Sequence, residues 1–228
     1  MSMTTPDEGW KITSALAAIT DEAALNYLKQ YFGIDEWAGR EYTGAHFDSF
    51  VGPGPDRLTA EDIIAVACLS IHVPARAALE ILGNESGEIS RLLDLIPNSA
   101  LEDVPFEAHD KWFGEGSPSL LFWRLLRAHY NVGATTASKI MARKRLALIP
   151  VYDSVIGRLT GFPTANGTWR AWHQAFSTDV EFTDRLRSLR EAAGLEHVTL
   201  LRILDVVLWM HGARGVEGPE GVDDSEGA

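Results

Sequence analysis

Two neighbouring segments decide the fold of this chain: residues 125–141, LLRAHYNVGATTASKIM, and residues 150–159, PVYDSVIGRL. The first stretch predicts two helices joined by a short hairpin. It consists of an apolar segment, a tight turn containing Gly133, and a second segment that opens with Ala134 and Thr135. Such a turn can present its backbone amides, and the positive end of the second helix dipole, to a phosphate group. A hairpin packed in a bundle without a ligand has the same pattern, so the turn alone leaves both interpretations open.

The remainder of the chain carries helix start and stop signals, and strand-like alternation is nearly absent, so we predict an all-α fold. Thr59 opens a segment of capping-box type, and Ser117 followed by Pro118 is a typical helix start. The last helix is apolar nearly all round, which is typical of a central core helix. The predicted helices span residues 21–32, 59–73, 75–82, 118–130, 134–143, 153–160, 169–176, 179–193 and 199–211.

Composition excludes several classes of protein. The chain has 228 residues, 46% of them hydrophobic, which is enough for a buried core. Its single cysteine, Cys68, lies in an apolar run, so we expect a packed core thiol and neither an internal disulfide nor a thiolate metal site. No segment has the length and apolarity of a membrane span or a secretory signal, so we expect a cytoplasmic, nucleoid-associated protein.

Charge is segregated along the chain. The formal net charge is −12, which disfavours binding of nucleic acid by bulk attraction. Between Leu120 and Thr160, however, seven basic residues stand against the single acid Asp153, a net charge of +6. A local site for a polyanion has this pattern, and so does an ordinary solvated helix face.

The segment that follows the hairpin indicates a family. The stretch contains Val151, Asp153, Ser154 and Arg158. It is similar to the Val-Asp-Thr/Ser-x-Val-x-Arg segment that carries the catalytic aspartate of helix-hairpin-helix (HhH-GPD) DNA glycosylases. This chain has one additional residue, between the valine and the aspartate. Thr136 precedes the aspartate by 17 residues, in register with that family. The chain therefore resembles a divergent member of this superfamily, specifically at the hairpin and aspartate and more weakly over residues 59–212.

The resemblance implies an architecture. It predicts two helical subdomains flanking a cleft, with the helix-hairpin-helix motif and the aspartate helix facing that cleft. We expect residues 1–56 to form an N-terminal helical or irregular extension and residues 57–212 to form the glycosylase-like domain. Residues 213–228 lack periodicity and large apolar side chains, so we expect a disordered acidic tail.

The resemblance also implies chemistry. Asp153 would be the catalytic carboxylate, stabilising the positive charge that develops on the deoxyribose when the N-glycosidic bond breaks. The target base would first have to leave the duplex and enter a lined pocket while a side chain fills the vacated stack. Other residues are assigned to two roles by the same resemblance. DNA contacts are expected at Asn131, Val132, Gly133, Thr135, Thr136, Lys139, Arg143 and Arg158, and the base pocket or wedge at His72, Trp112, Phe113, Trp123 and Tyr152.

Departures from the family pattern narrow the expected activity. Asn131 occupies the position of the first hairpin glycine and tolerates the left-handed conformation better than most residues. Thr135 occupies the position of the lysine that forms a Schiff base in bifunctional members, and the iron-sulfur cysteines are missing. We therefore expect a monomeric, monofunctional enzyme that acts on double-stranded DNA containing a modified or damaged base. We expect it to need neither an organic cofactor nor an iron-sulfur cluster, and a monovalent cation at the hairpin turn is an option.

Several of these residues have simpler interpretations. Each aromatic side chain could be ordinary core, and His72 could be a surface or cap residue. Asp153 could be only a helix N-cap, and Lys139 and Arg143 only solvated charges. The alternative function is accordingly a catalytically silent helix-hairpin-helix protein that binds DNA or another protein.

Overall fold

The computed structural model describes residues 8–50, 54–162, 164, 165 and 167–214, and these residues contain α-helices and short 3₁₀ turns but no β-strand. The predicted all-α class is confirmed. Among these described residues, no helix combines the length and apolarity needed to cross a membrane. The α-helices are α1 (Gly9–Ala17), α2 (Asp21–Phe32), α3 (Ala60–Ala67), α4 (Ala75–Leu82), α5 (Ser86–Leu95), α6 (His109–Phe113), α7 (Pro118–Arg127), α8 (Ala134–Lys144), α9 (Ser154–Leu159), α10 (Thr168–Thr178), α11 (Val180–Ala192) and α12 (Leu200–Arg214).

Side-chain caps set several helix boundaries. The hydroxyl of Thr20 accepts a hydrogen bond from the Ala23 amide at 3.2 Å and opens α2, which ends at Gly33 in the left-handed conformation (φ 67°). Thr59 and Asp62 form the predicted capping box at the start of α3. These boundaries agree with the sequence because they depend on neighbouring residues alone.

Helices α7 and α8 are joined by a short turn. Ser117 caps α7 by accepting from the Leu120 amide at 3.2 Å, and Pro118 occupies the first turn. Helix α7 ends at Arg127, earlier than predicted, and Asn131 adopts the left-handed conformation (φ 58°) that reverses the chain. The two helices then pack against each other.

The sequence analysis missed three helices, α1, α5 and α6. None of the three has a capping side-chain hydrogen bond at its start. Helix α6 is also only five residues long, too short to show a hydrophobic period. These helices are therefore stabilised by tertiary packing more than by local signals.

Packing divides the helices into two groups. Helices α1, α2 and α9–α12 contact one another, with α12 at the centre and residues 200–208 all buried. Helices α3–α8 form the second group, in which α8 packs against α3 and α7, and α5 packs against α4 and α7. The groups meet where α6 contacts α10, and their buried side chains belong to one hydrophobic core.

The chain termini bear on the predicted domain boundaries. Helix α1 packs against α10 and α12, and α2 packs against α11 and α12, so the described part of the predicted extension 1–56 contributes to the same core as the rest. Helix α12 continues through Ala213 and Arg214. The remainder of the predicted acidic tail, residues 215–228, lies outside the described residues.

Candidate active site

A cavity of about 290 Å³ lies between the two groups of helices. Its wall combines α2, the end of α3 and the segment that follows it, α8, the start of α9, and α12. The lining residues are Tyr31, Tyr42, Thr43, Gly44, Cys68, Leu69, Ser70, Ile71, Thr135, Lys139, Val151, Asp153, Ser154, Arg202, Asp205, Val206 and Trp209. The predicted catalytic residue thus lies on the wall of this cavity.

Asp153 is both the N-cap of α9 and a cavity residue. Its Oδ1 accepts a hydrogen bond from the Val155 amide at 2.8 Å, which fixes the carboxylate relative to the helix. Its Oδ2 accepts from the Lys139 ammonium at 3.3 Å, and the side chain remains 16% exposed. The capping role and an orientation towards the cavity therefore coexist.

Lys139 is a cavity residue and not a surface cation. Its side chain is 7% exposed, and its ammonium donates to the Leu69 carbonyl at 3.1 Å as well as to Asp153. It lies one helical turn beyond Thr135, which lines the same cavity. The Lys139 amine is therefore present beside the Asp153 carboxylate, although Thr135 occupies the position that holds a lysine in bifunctional glycosylases.

The start of α8, at the hairpin turn, has no side-chain cap. Gly133 is the N-cap of α8, has no capping side-chain hydrogen bond, and is exposed. A Cβ atom at Gly133 would meet only Arg127, at 3.9 Å, so the turn can be approached closely. Val132 and Thr136 are buried and support the turn from below.

A guanidinium lies beside the hairpin turn. Arg127 donates to the Val132 carbonyl at 3.4 Å, so positive charge is present where the chain reverses. The monovalent cation expected at this turn stays a prediction.

Aromatic rings form one wall of the cavity. The Tyr31 and Tyr42 rings stack with centroids 5.3 Å apart and planes 7° apart, and the Trp209 ring meets both edge-on. Gly44 is required here because a Cβ atom would overlap the Tyr31 hydroxyl. Since Tyr42 is exposed and Trp209 half-buried, the wall offers ring surface to a planar ligand.

A buried ionic network lies behind that wall. Arg202 donates to Asp48 at 3.0 Å, to the Tyr31 hydroxyl at 2.7 Å and also to Asp205. Burial raises the pKa of Tyr31 to about 12, so its hydroxyl is neutral at physiological pH. Burial likewise raises the pKa of Asp205, to about 6, and the charge of Asp153 acts in the same direction.

The predicted basic patch is largely internal, which corrects the expectation for Arg143. Arg143 is 9% exposed and donates to Asp62 and to the carbonyls of Phe47 and Phe50. Lys144 shares the same aspartate at 2.9 Å. Arg143 and Lys144 thereby connect α8 to Asp62 and to the segment that contains Phe47 and Phe50. These contacts are needed because a buried charge is stable only when it is paired.

The other basic residues of that stretch divide similarly. Arg145 is buried and donates hydrogen bonds to Asp56 and to backbone carbonyls. Arg124 forms an ion pair with Glu115 at 2.6 Å. Arg127 and Arg158 are exposed and have no acidic partner among the described residues. Two of the seven cations therefore remain free to contact phosphates.

The structure does not bring the predicted pocket aromatics to Asp153. Phe113, Trp123 and Tyr152 line a separate cavity of about 190 Å³. Trp112 lines neither of these two cavities and is half-buried beneath the Lys111 ammonium, 4.2 Å from the ring centroid. The Phe113 and Trp123 rings both contact the Trp169 ring of α10, a long-range contact that periodicity alone could not anticipate.

Two further predictions concern residues that follow α3, Cys68 and His72. His72 is exposed and lies after α3, outside the residues that line the Asp153 cavity. Cys68 is half-buried and lines that cavity, so the expectation of a fully packed core thiol is wrong. Ser70 between them has a left-handed backbone (φ 56°) and also lines the cavity.

Sequence reasoning missed the residues of the aromatic wall and of the ionic network. One signal was available: Arg202 and Asp205 lie three residues apart in a helix that is otherwise apolar nearly all round, and charges in such a helix need partners. For Tyr31, Tyr42 and Trp209 the sequence carries no comparable signal.

Comparison with known proteins adds the family. No curated protein and no solved structure matches the chain. The profile of DUF6308, a family of unknown function, matches residues 24–212, a range that includes every residue lining the cavity. The chain therefore belongs to the DUF6308 family.

Proposed function

We propose that this protein is a monofunctional DNA glycosylase that hydrolyses the N-glycosidic bond of a modified or damaged base extruded from a duplex. One observation carries the proposal: the Asp153 carboxylate is fixed by a helix cap on the wall of a cavity that also offers aromatic ring surface. A carboxylate and a planar, lined pocket are the two elements that excision of an extruded base requires.

The aromatic wall would hold the base. A planar heterocycle in the cavity could stack against Tyr42 or Trp209, since both are accessible from the cavity. The side chains assigned to this role in the sequence analysis are replaced here by residues from α12 and from the segment after α2.

Asp153 would stabilise the sugar. Cleavage of the bond builds positive charge on C1′ and the ring oxygen, and a fixed carboxylate beside them lowers the energy of that state without reorganising. Lys139 holds the carboxylate in place through Oδ2, while the Val155 amide holds Oδ1. A water molecule attacking C1′ would complete the hydrolysis.

The hairpin would position the DNA backbone. The uncapped start of α8 offers amide donors and a positive dipole end, and Arg127 and Arg158 supply exposed charge. Since the cations at 143–145 are internal, we expect only a small electrostatic contribution to the affinity for the duplex.

The test is a panel of duplexes carrying alkylated, deaminated, oxidised and hypermodified bases, scored for abasic sites that alkali cleaves. Release of at least one base, and its loss in a Trp209→Ala variant that still melts cooperatively, would support the proposal. Binding of the duplexes without release of any base would instead favour a catalytically silent DNA-binding protein.

A further inference from the structure

The cavity of about 190 Å³ that contains Phe113, Trp123 and Tyr152 is a second candidate site. It shares no described lining residue with the Asp153 cavity. Gly167 in its lining is exposed and Trp123 is half-buried, so the cavity opens to solvent. Pockets for drug-sized molecules measure about 300–1,000 Å³, so this smaller cavity has room for a molecule of one or two rings.

Three aromatic rings form walls of this second cavity. The Trp169 ring meets the Trp123 ring edge-on, with centroids 5.5 Å apart, and its centroid lies 5.6 Å from that of Phe113. The three rings come from α10, α7 and α6, so tertiary packing assembles them around the space. Walls of this kind favour a planar, aromatic ligand.

A buried histidine pair determines what the His109 ring offers to the cavity. His173 is fully buried, and its Nε2 donates to the Val104 carbonyl at 2.8 Å, so this nitrogen carries a hydrogen. In a neutral His173 ring, Nδ1 is then bare and accepts a hydrogen bond from His109 Nδ1 at 3.0 Å. A neutral His109 ring is consequently left with a bare Nε2, which is an acceptor.

Both rings are neutral at physiological pH. The contact between the two Nδ1 atoms requires one of them to be bare, so the rings cannot both be charged. Burial lowers the pKa of His109 to about 4, and His173 and Arg170 act in the same direction, whereas Asp110 opposes them. Burial also lowers the pKa of His173, against the effects of the Val104 carbonyl and Glu107.

The bare Nε2 of His109 borders the second cavity. His109 is 7% exposed and lines this cavity, whereas His173, towards which its Nδ1 points, does not line it. Nε2 has no hydrogen-bond partner among the described residues, and it is not one of the fully enclosed polar atoms. An acceptor that lacks a protein donor is therefore available to a ligand in the cavity.

Charge disfavours one type of ligand. Aromatic walls can also bind cations over their ring faces. Here, however, the Arg170 guanidinium lines the cavity, and no acidic side chain among the described residues does. The ion-pair partner of Arg170 is Asp110, which is exposed, lies 3.7 Å away and is not a lining residue. A cationic ligand would therefore meet a like charge without compensation.

We propose that this second cavity binds a small planar molecule of one or two aromatic rings that donates an N–H or O–H hydrogen to His109 Nε2 and carries no positive charge. Indoles and free nucleobases both have this chemistry. Binding here does not require the glycosylase activity, because the two cavities have separate linings. They are nevertheless adjacent along the chain, since Tyr152 lines this cavity and Asp153 lines the other.

Isothermal titration calorimetry on the full-length protein tests the donor with two isomers of equal size. The N–H group is present in 3-methylindole and absent from 1-methylindole. We expect 3-methylindole to bind saturably with a Kd below about 1 mM, and about tenfold more tightly than 1-methylindole, because one hydrogen bond to a buried acceptor separates them. Tetramethylammonium should not bind. Adenine and uracil distinguish the two sources, since tighter binding than that of 3-methylindole would assign a nucleobase and weaker binding an indole.

Three variants locate the site. His109→Phe keeps an aromatic ring and removes the acceptor, so the two methylindoles should then bind equally. Leu120→Trp should fill the cavity and abolish binding. Leu121→Trp is the matched control, because Leu121 follows it in α7, is exposed and does not line the cavity, so binding should be unchanged. Thermal unfolding verifies that each variant is folded.

Several results would overturn the proposal. Equal affinity of the wild-type protein for the two methylindoles would show that His109 Nε2 is not the acceptor. Saturable binding of tetramethylammonium would assign a cation site instead. Binding that persists in a folded Leu120→Trp variant would place the ligand elsewhere, and absence of saturable binding by every probe would remove the site. Base excision is assayed separately on duplexes, so none of these results bears on the glycosylase proposal.

Discussion

Replacing Asp153 with asparagine tests the proposed catalytic role most directly. Asparagine has nearly the same shape and is also a good N-cap, so the hydrogen bond from the Val155 amide can be retained. The substitution removes the negative charge that would face the developing sugar cation. It also removes the ionic partner of Lys139, whose ammonium keeps its hydrogen bond to the Leu69 carbonyl.

The expected size of the effect follows from these contacts. Two unit charges about 4 Å apart attract by about 4 kcal/mol at an effective dielectric constant near 20, and the low exposure of Asp153 keeps salt screening small. Lys139 offsets part of that attraction. A loss of about 2.7 kcal/mol or more in transition-state stabilisation corresponds to about 100-fold or more in the rate of base release.

The assay compares base release under single-turnover conditions with binding to the same duplex by fluorescence anisotropy. Asp179→Asn is a matched control, because Asp179 caps α11 by accepting from the Phe182 amide at 2.9 Å and does not line the cavity. We expect unchanged binding in both variants, a rate loss only in Asp153→Asn, and a loss of stability of about 1–2 kcal/mol at most. Base release undiminished in Asp153→Asn would refute the catalytic role.

Three further predictions follow from the placement of the charges. Arg127 and Arg158 are the two cations of the basic stretch that remain free, so a plot of the logarithm of duplex affinity against the logarithm of salt concentration should have a slope of about −2. Replacing both arginines with glutamine should flatten this slope. A wild-type slope steeper than about −5 would contradict the internal placement of the other basic residues. Borohydride should trap no covalent adduct with DNA, because the Lys139 ammonium is engaged by two acceptors, and a trapped adduct would assign lyase activity to it. Asp62→Ala should lower the free energy of unfolding by about 3–5 kcal/mol in urea titrations, because it leaves Arg143 without its buried partner, and a loss below about 1 kcal/mol would contradict that pairing's role.

Local signals anticipated much of the framework. The caps at Thr59 and Ser117, the left-handed Asn131 and the stop at Gly33 each depend on a few adjacent atoms, so sequence alone determines them. The position of Asp153 at the start of α9 belongs to the same class, since its side chain caps its own helix. The all-α class follows because such signals recur along most of the chain.

The partners of charged side chains could not be anticipated in this way. The run of cations at 143–145 is indistinguishable in sequence from a solvated helix face, yet Arg143 and Lys144 meet Asp62, about 80 residues earlier in the chain. Burial of this kind depends on which helices pack together, and local patterns do not encode that. The same stretch of sequence is therefore a structural clamp and not a binding surface.

By itself, the sequence determined that the chain is helical, where most helices begin and end, and that Asp153 follows a hairpin, because hydrogen bonds and steric limits over a few residues decide these features. Only the tertiary structure decided that Asp153 shares a cavity with Lys139 and Asp205 and that Tyr42 and Trp209 form its wall. These side chains come from helices and loops far apart in the chain. They meet because burial of apolar surface brings both groups of helices together, and the charges within that contact must then find partners.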